Sequence, residues 1–211
     1  MDTPSVFTFT LDHFKIENPR SLRKDTDYVS FTLLVKSSAG VGTPKTITKS
    51  MGDLGDGTHK VGLTFSNVPI KPTDIVVLNY LIVNSGKKGS DIHAILESTA
   101  TTLANKGVDA ATAAAGAAVG GVIGSVIPIP GLGTLLGATA GGWLAGEVKG
   151  LLHANCDGPV AAEQNTFTYA NMVAKTAHGT FTHTTRHPGT DSPRGCGANS
   201  KYDVTWFMQS H

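Results

Sequence analysis

Ile75-Val76-Val77-Leu78-Asn79-Tyr80-Leu81-Ile82-Val83 is the stretch whose reading decides the fold. Most of its residues are β-branched or aromatic, and apolar side chains stand at both odd and even positions. Successive side chains of a strand point to opposite faces, so a run of this kind is covered on both sides and belongs at the centre of a sheet. Working outward, Lys60-Val61-Gly62-Leu63-Thr64-Phe65 and Tyr28-Val29-Ser30-Phe31-Thr32-Leu33-Leu34-Val35 alternate as half-buried strands. Val6, Phe7, Phe9 and Leu11, interleaved with threonine, open the chain in the same way. A charged, proline-containing connection runs from Glu17-Asn18-Pro19-Arg20 to Lys24-Asp25-Thr26-Asp27. Ser37-Ser38-Ala39-Gly40 and Gly52-Asp53-Leu54-Gly55-Asp56-Gly57 supply turn chemistry between strands. Turn signals at this spacing predict a mainly β fold, an antiparallel β-sandwich or jelly roll.

The pattern returns near the C-terminus. Thr166-Phe167-Thr168-Tyr169, Gly179-Thr180-Phe181-Thr182-His183-Thr184 and Tyr202-Asp203-Val204-Thr205-Trp206-Phe207 read as strands. This block is too short to fold alone, so it belongs to the first sheet-forming block. Between the two the composition changes. Ser90-Asp91 makes an N-cap, and Ile92, Ile95, Leu96 and Leu103 have helical spacing up to Asn105. Lys106-Gly107-Val108-Asp109 interrupts the helix, and the 37 residues from Ala110 to Gly146 carry no charge. Pro128-Ile129-Pro130-Gly131 divides them into two helical legs, because proline cannot continue a helix and disfavours helix at the residue before it. The expected division is a β-domain formed by 1–89 and 157–211, an α insertion at 90–156, and an apolar α-helical hairpin at 110–146 inside it.

Glycines stand four apart on each leg: Gly116, Gly120 and Gly124, then Gly133, Gly137 and Gly141. On a helix that spacing lines one face and lets two backbones approach closely. Each mid-helix glycine costs about 0.8–1 kcal/mol relative to alanine, so six at matched spacing imply an offsetting packing gain. Val119, Val122, Ile123, Val126 and Ile127 clothe the other faces of the first leg, and Leu132, Leu135, Leu136, Trp143 and Leu144 those of the second. As helices the legs would span about 27 and 24 Å, slightly short of a bilayer core of about 30 Å. The anchors favour insertion by only a few kcal/mol, at about 0.3–0.6 kcal/mol each, which describes a conditional element and not a permanent anchor. The paired glycine pattern resembles the glycine-zipper hairpins of membrane-active proteins, including some bacteriocins and pore-forming toxins. The resemblance covers residues 110–146 and implies membrane lipid as a partner, with self-association into a homo-oligomer.

The remaining residues bound the function from the other side. Seventeen basic residues face sixteen acidic ones, for a net charge of +1, so no field is available to draw nucleic acid. The start, Met1-Asp2-Thr3-Pro4-Ser5, lacks a basic and then apolar leader, which leads to the expectation of a cytoplasmic protein or one exported by a non-classical route. Cys156 and Cys196 both sit in turn-like surroundings. They either bridge, tying the root of the insertion to the last loop, or stay thiols in a reducing compartment. Two metal readings stand open: Asp25, Asp27, Asp53 and Asp56 as loop carboxylates for calcium, and His183, His187 and Asp191 converging at a strand end on a transition metal. Bland readings stand beside them, turn-stabilising aspartates and solvated histidines. No Gly-x-Ser-x-Gly elbow, P-loop lysine or dinucleotide fingerprint is present, so a non-enzymatic protein is expected. Two functions compete: a membrane-active protein whose buried hairpin is exposed on demand, and a β-sandwich binding module for a carbohydrate or protein ligand with the hairpin as brace or dimer interface.

Overall fold

The structure, a computed structural model, describes residues 4–19, 25–85, 92–94, 96–102, 104–105, 158–187 and 200–211. Nine strands run through these residues: β1 (Ser5–Asn18), β2 (Asp25–Ser37), β3 (Gly40–Val41), β4 (Lys45–Leu54), β5 (Gly57–Ile70), β6 (Ile75–Asn84), β7 (Gly158–Thr168), β8 (Phe181–His187) and β9 (Lys201–Ser210). One sheet has the order β5-β1-β9-β8; the other has β3-β2-β6-β7, with β4 also paired to β2. Every pairing is antiparallel. A short helix, Tyr169–Thr176, links β7 to β8, and residues 92–94, 96–102 and 104–105 are helical. The mainly β expectation therefore holds.

Period-two burial builds the core. Val61, Leu63 and Phe65 of β5 are buried while Lys60, Gly62 and Thr64 are exposed. Their inward side chains join Phe7, Phe9, Leu11 and Phe14 of β1, Tyr202, Val204, Trp206 and Met208 of β9, and Val29, Phe31 and Leu33 of β2 in one cluster. The two sheets thus share a single interior. Each large apolar side chain so buried is worth about 1.5–3 kcal/mol relative to exposure.

β6 lies between β2 and β7, as its composition requires. Val76, Leu78, Tyr80 and Ile82 face the common interior. Val77 packs instead with Leu34 and Ala104, and the Asn79 side-chain amide donates to the Ala100 carbonyl at 3.2 Å. The helical stretch thus covers the outer face of this sheet.

Three boundaries differ from the sequence reading, each for a physical reason. β1 runs on through Glu17-Asn18, read above as part of the connection, because Ile16 is buried while Glu17 turns outward to Lys15 and Arg186. β4 continues through Gly52 and Asp53 to Leu54. Gly52 has φ 74°, opposite the register shift at Asp27/Tyr28, so the glycine absorbs a bulge inside the strand. Tyr169, read as the end of a strand, begins the short helix; the Thr168 hydroxyl accepts from the Asn171 N–H at 3.2 Å and caps it.

Asn84 at the end of β6 pairs in register with Gly158 at the start of β7. The chain leaves the sheet and re-enters it at neighbouring positions. The uncharged stretch 110–146, with all six spaced glycines, Val122, Ile123, Ile127, Leu135, Leu136 and Trp143, lies outside the described residues, as do Cys156, Asp191 and Cys196.

Candidate functional site

Register brings together side chains far apart in sequence. Tyr80 of β6 is the direct cross-strand partner of Glu163 of β7, and both face the interior. On β8 the odd positions turn inward, so Phe181, His183, Thr185 and His187 form one row. The rows meet where the edge strands β7 and β8 of the two sheets come together. His183 Nε2 lies 3.0 Å from Glu163 Oε1 and 2.9 Å from the Thr185 hydroxyl. The Tyr80 hydroxyl lies 2.7 Å from His187 Nε2, with the two rings edge to face. Trp206 of β9 forms the floor, its ring 5.5 Å from that of His183. Further along, the Tyr202 hydroxyl donates to buried Asp27 of β2 at 2.9 Å.

Burial sets the protonation of this network. Desolvation lowers His187 from 6.5 to about 4, against the opposing pull of Glu163 and Asp203, so the ring is neutral at neutral pH. Burial alone would raise Glu163. The hydrogen bond and charge of His183, with hydrogen bonds from Tyr80 and Thr185, outweigh it and hold the carboxyl below its ordinary value. Burial and the nearby Glu163 charge push Tyr80 well above the ordinary phenol value. The arrangement is a polar lock between the sheets, with His183, at 37% side-chain exposure, as its accessible end.

The residues singled out from the sequence are distributed as follows. His183 and His187 share a face of β8, as strand parity requires, but bond to different partners in β7 and β6. Asp25 and Asp27 lie in β2 and Asp53 in β4; only Asp56 is in a turn, so the reading of all four as loop residues is corrected. Asp27 is fully buried, and the Asp53 carboxylate accepts from the Thr26 hydroxyl. Among the described residues no group of three or more His, Cys, Asp or Glu side chains is placed to hold a metal ion. Among them, too, no helix is long and apolar enough to cross a membrane. Sequence reasoning missed Tyr80 and Glu163. The available signal was parity in β7, where Glu163 shares its face with Phe167.

A second concavity opens at the other side of the interior, between β2 and β5. This groove of about 530 Å³ has apolar walls from Leu33, Val35, Phe65, Val68 and Pro69, with Lys45 at its lip. Gly42 shapes its margin: its N–H donates to the Val35 carbonyl at 3.0 Å, and a Cβ there would stand 2.8 Å from that oxygen.

No protein-family model and no curated protein matches this chain.

Proposed function

We propose that the chain is a membrane-active, non-enzymatic protein of toxin-like or defence type. In this reading the two-sheet, jelly-roll-like sandwich carries the segment 110–146 to a bilayer. There the segment inserts or makes contact as a helical hairpin, and copies associate through their glycine faces. One observation carries the reading: an uncharged stretch of 37 residues with paired four-residue glycine spacing. The pairing of Asn84 with Gly158 supports it, since a segment rooted at adjacent strand ends moves without unzipping either strand.

Release of an encapsulated dye from vesicles of three parts phosphatidylcholine to one part phosphatidylglycerol tests this. The chain should release dye, and Gly120→Leu or Gly137→Leu should cut the rate at least tenfold while leaving the far-ultraviolet spectrum of the β-body unchanged. Silence of the unmodified chain from pH 4 to 8 would remove the proposal's support.

The groove favours a second reading, a binding module that takes an apolar side chain of a protein ligand. Its volume falls within the range of ligand sites, and its apolar walls include the Phe65 ring, with Lys45 at the lip. A naphthalene-sulfonate dye matches that chemistry. Val68→Trp, which fills the groove, should weaken dye binding at least fivefold, and Lys45→Glu should weaken it further. Binding unchanged in both variants sets this reading aside.

A further inference from the structure

The outer face of the β3-β2-β6-β7 sheet carries a row of polar side chains where an apolar floor would pack better. Thr46, Thr32, Asn79 and Gln164 are successive register partners across β4, β2, β6 and β7. The Thr46 and Thr32 hydroxyls satisfy each other at 2.9 Å. The rest of the floor is not satisfied in this way. Asn79 Oδ1, both polar atoms of the Gln164 amide, Ser30 Oγ and Thr166 Oγ1 are buried without a protein hydrogen-bond partner. Parity places Ser30 and Thr166 on this same outer face, two residues along from Thr32 and Gln164. Buried polar atoms are nearly always partnered, so several orphans on one face of one sheet ask for an explanation.

The helical stretch lies on that floor. Among its described residues Ile92, Leu96, Thr99, Ala100 and Ala104 are buried, and Ala100 and Ala104 offer the sheet only methyl groups. Ser98, Thr99, Thr101 and Thr102 fill the middle, and residues of this kind compete with helix formation through their own hydroxyls. Thr102 does so directly, bonding the Ser98 carbonyl at 3.0 Å. Among the described residues, the Asn79–Ala100 bond, the packing of Ala104 on Val77 and Leu34, and His93 tie the stretch to the sheet; His93 Nδ1 lies 2.9 Å from the Thr48 hydroxyl and its ring stands edge-on to Tyr28.

We propose that the helical stretch 92–105 is a detachable clasp on the outer face of the sheet, and that it lifts before the inserted segment acts. The orphaned floor lowers the cost of lifting, because Ser30, Asn79, Gln164 and Thr166 gain water as the methyl stripe leaves. Places that break local packing rules are often functional or strained sites. This inference rests on the membrane-active reading, whose segment begins immediately after the clasp.

The test uses the full chain with Cys156→Ser and Cys196→Ser. Thiol labelling at Ala100→Cys, or at Ala104→Cys should the first variant fold poorly, reads clasp opening without any membrane. Val204→Cys, in the shared interior, sets the rate of global opening. Labelling under the clasp should run at least tenfold faster than at Val204→Cys. Ser30→Ala combined with Gln164→Leu should slow it, since the floor no longer gains from hydration. A short bis-maleimide joining Thr48→Cys to His93→Cys should abolish dye release from the vesicles described above. Labelling at the global rate, or release that persists with the cross-link in place, overturns the clasp. Fast local labelling with no release from any variant upholds the clasp and overturns the membrane-active reading instead.

Discussion

Acidification from pH 6.5 to pH 4 should remove about 3 kcal/mol of folding stability through His187 alone. The sign follows from proton counts. The ring titrates at 6.5 when unfolded and at about 4 in the folded chain, so within that window the unfolded state binds the extra proton. Stability is therefore full above pH 6.5 and falls as pH drops toward 4. The His187 side chain is buried, which leaves little solvent screening to discount the effect. Glu163, held below its ordinary value, adds a loss in the same direction at still lower pH. Urea midpoints for the unmodified chain and for His187→Gln, taken at pH 7 and pH 4, check the prediction. The variant lacks the titrating group, so the stability gap between the two proteins should shrink by about 3 kcal/mol at the lower pH. A gap of the same size at both pH values would show that His187 does not carry the effect.

The consequence for function lies in where this lock sits. Glu163 belongs to β7, the strand on which the chain returns from the inserted segment, and Tyr80 to β6, from which it departs. Acid conditions weaken the contacts of both strands with β8. The clasp at 92–105 lies on the opposite face of β6 and contains only His93 and Glu97 as titratable side chains among its described residues. Thiol labelling at Ala100→Cys, run at one fixed pH, therefore reads the clasp separately from the lock.

Much of the fold is legible in the sequence because burial follows a period of two. The run Ile75–Val83 announces a strand covered on both faces, and Lys60–Phe65 shows its inward row outright. The parity that puts His183 and His187 on one face of β8 is readable in the same way. Tyr80 and Glu163 are not: they stand 83 positions apart, and only the β6–β7 register sets one opposite the other. The extent of β1 is hidden by charge, since Glu17-Asn18 reads as the start of the charged connection until Ile16 is known to point inward. The short helix was hidden by β-formers at Thr166-Phe167-Thr168-Tyr169, although Thr168 three residues before Asn171 is a capping arrangement. The apolar stripe of the clasp was only half visible. Ile92 and Leu96 stand out by hydrophobicity, but Ala100 and Ala104 complete the row with side chains too small to register.

Replacing Trp206 by alanine should cost about 3–5 kcal/mol, the range for deleting a buried aromatic side chain. Trp206 is 1% exposed at the centre of β9 and meets Phe167 of β7 and Phe181 of β8 edge-on, with centroids 5.8 and 5.7 Å away. The ring thus joins the edge strands of both sheets. Domain stabilities run at about 5–15 kcal/mol, so the loss is a large share of the total. For a chain of this length it should lower Tm by roughly 6–20 °C. Trp206→Phe distinguishes packing from hydrogen bonding. The indole Nε1 is buried without a protein hydrogen-bond partner, so phenylalanine forfeits only volume and should cost about 1–2 kcal/mol. Urea midpoints for both variants decide the matter: equal costs would mean that the indole nitrogen, not the ring, holds the strands together. Because Trp206 also supports His183, a double-mutant cycle of Trp206→Phe with His183→Ala should show a coupling of at least about 0.5 kcal/mol. Strict additivity would mean that the aromatic floor and the Glu163–His183 lock act independently, although their rings are in contact.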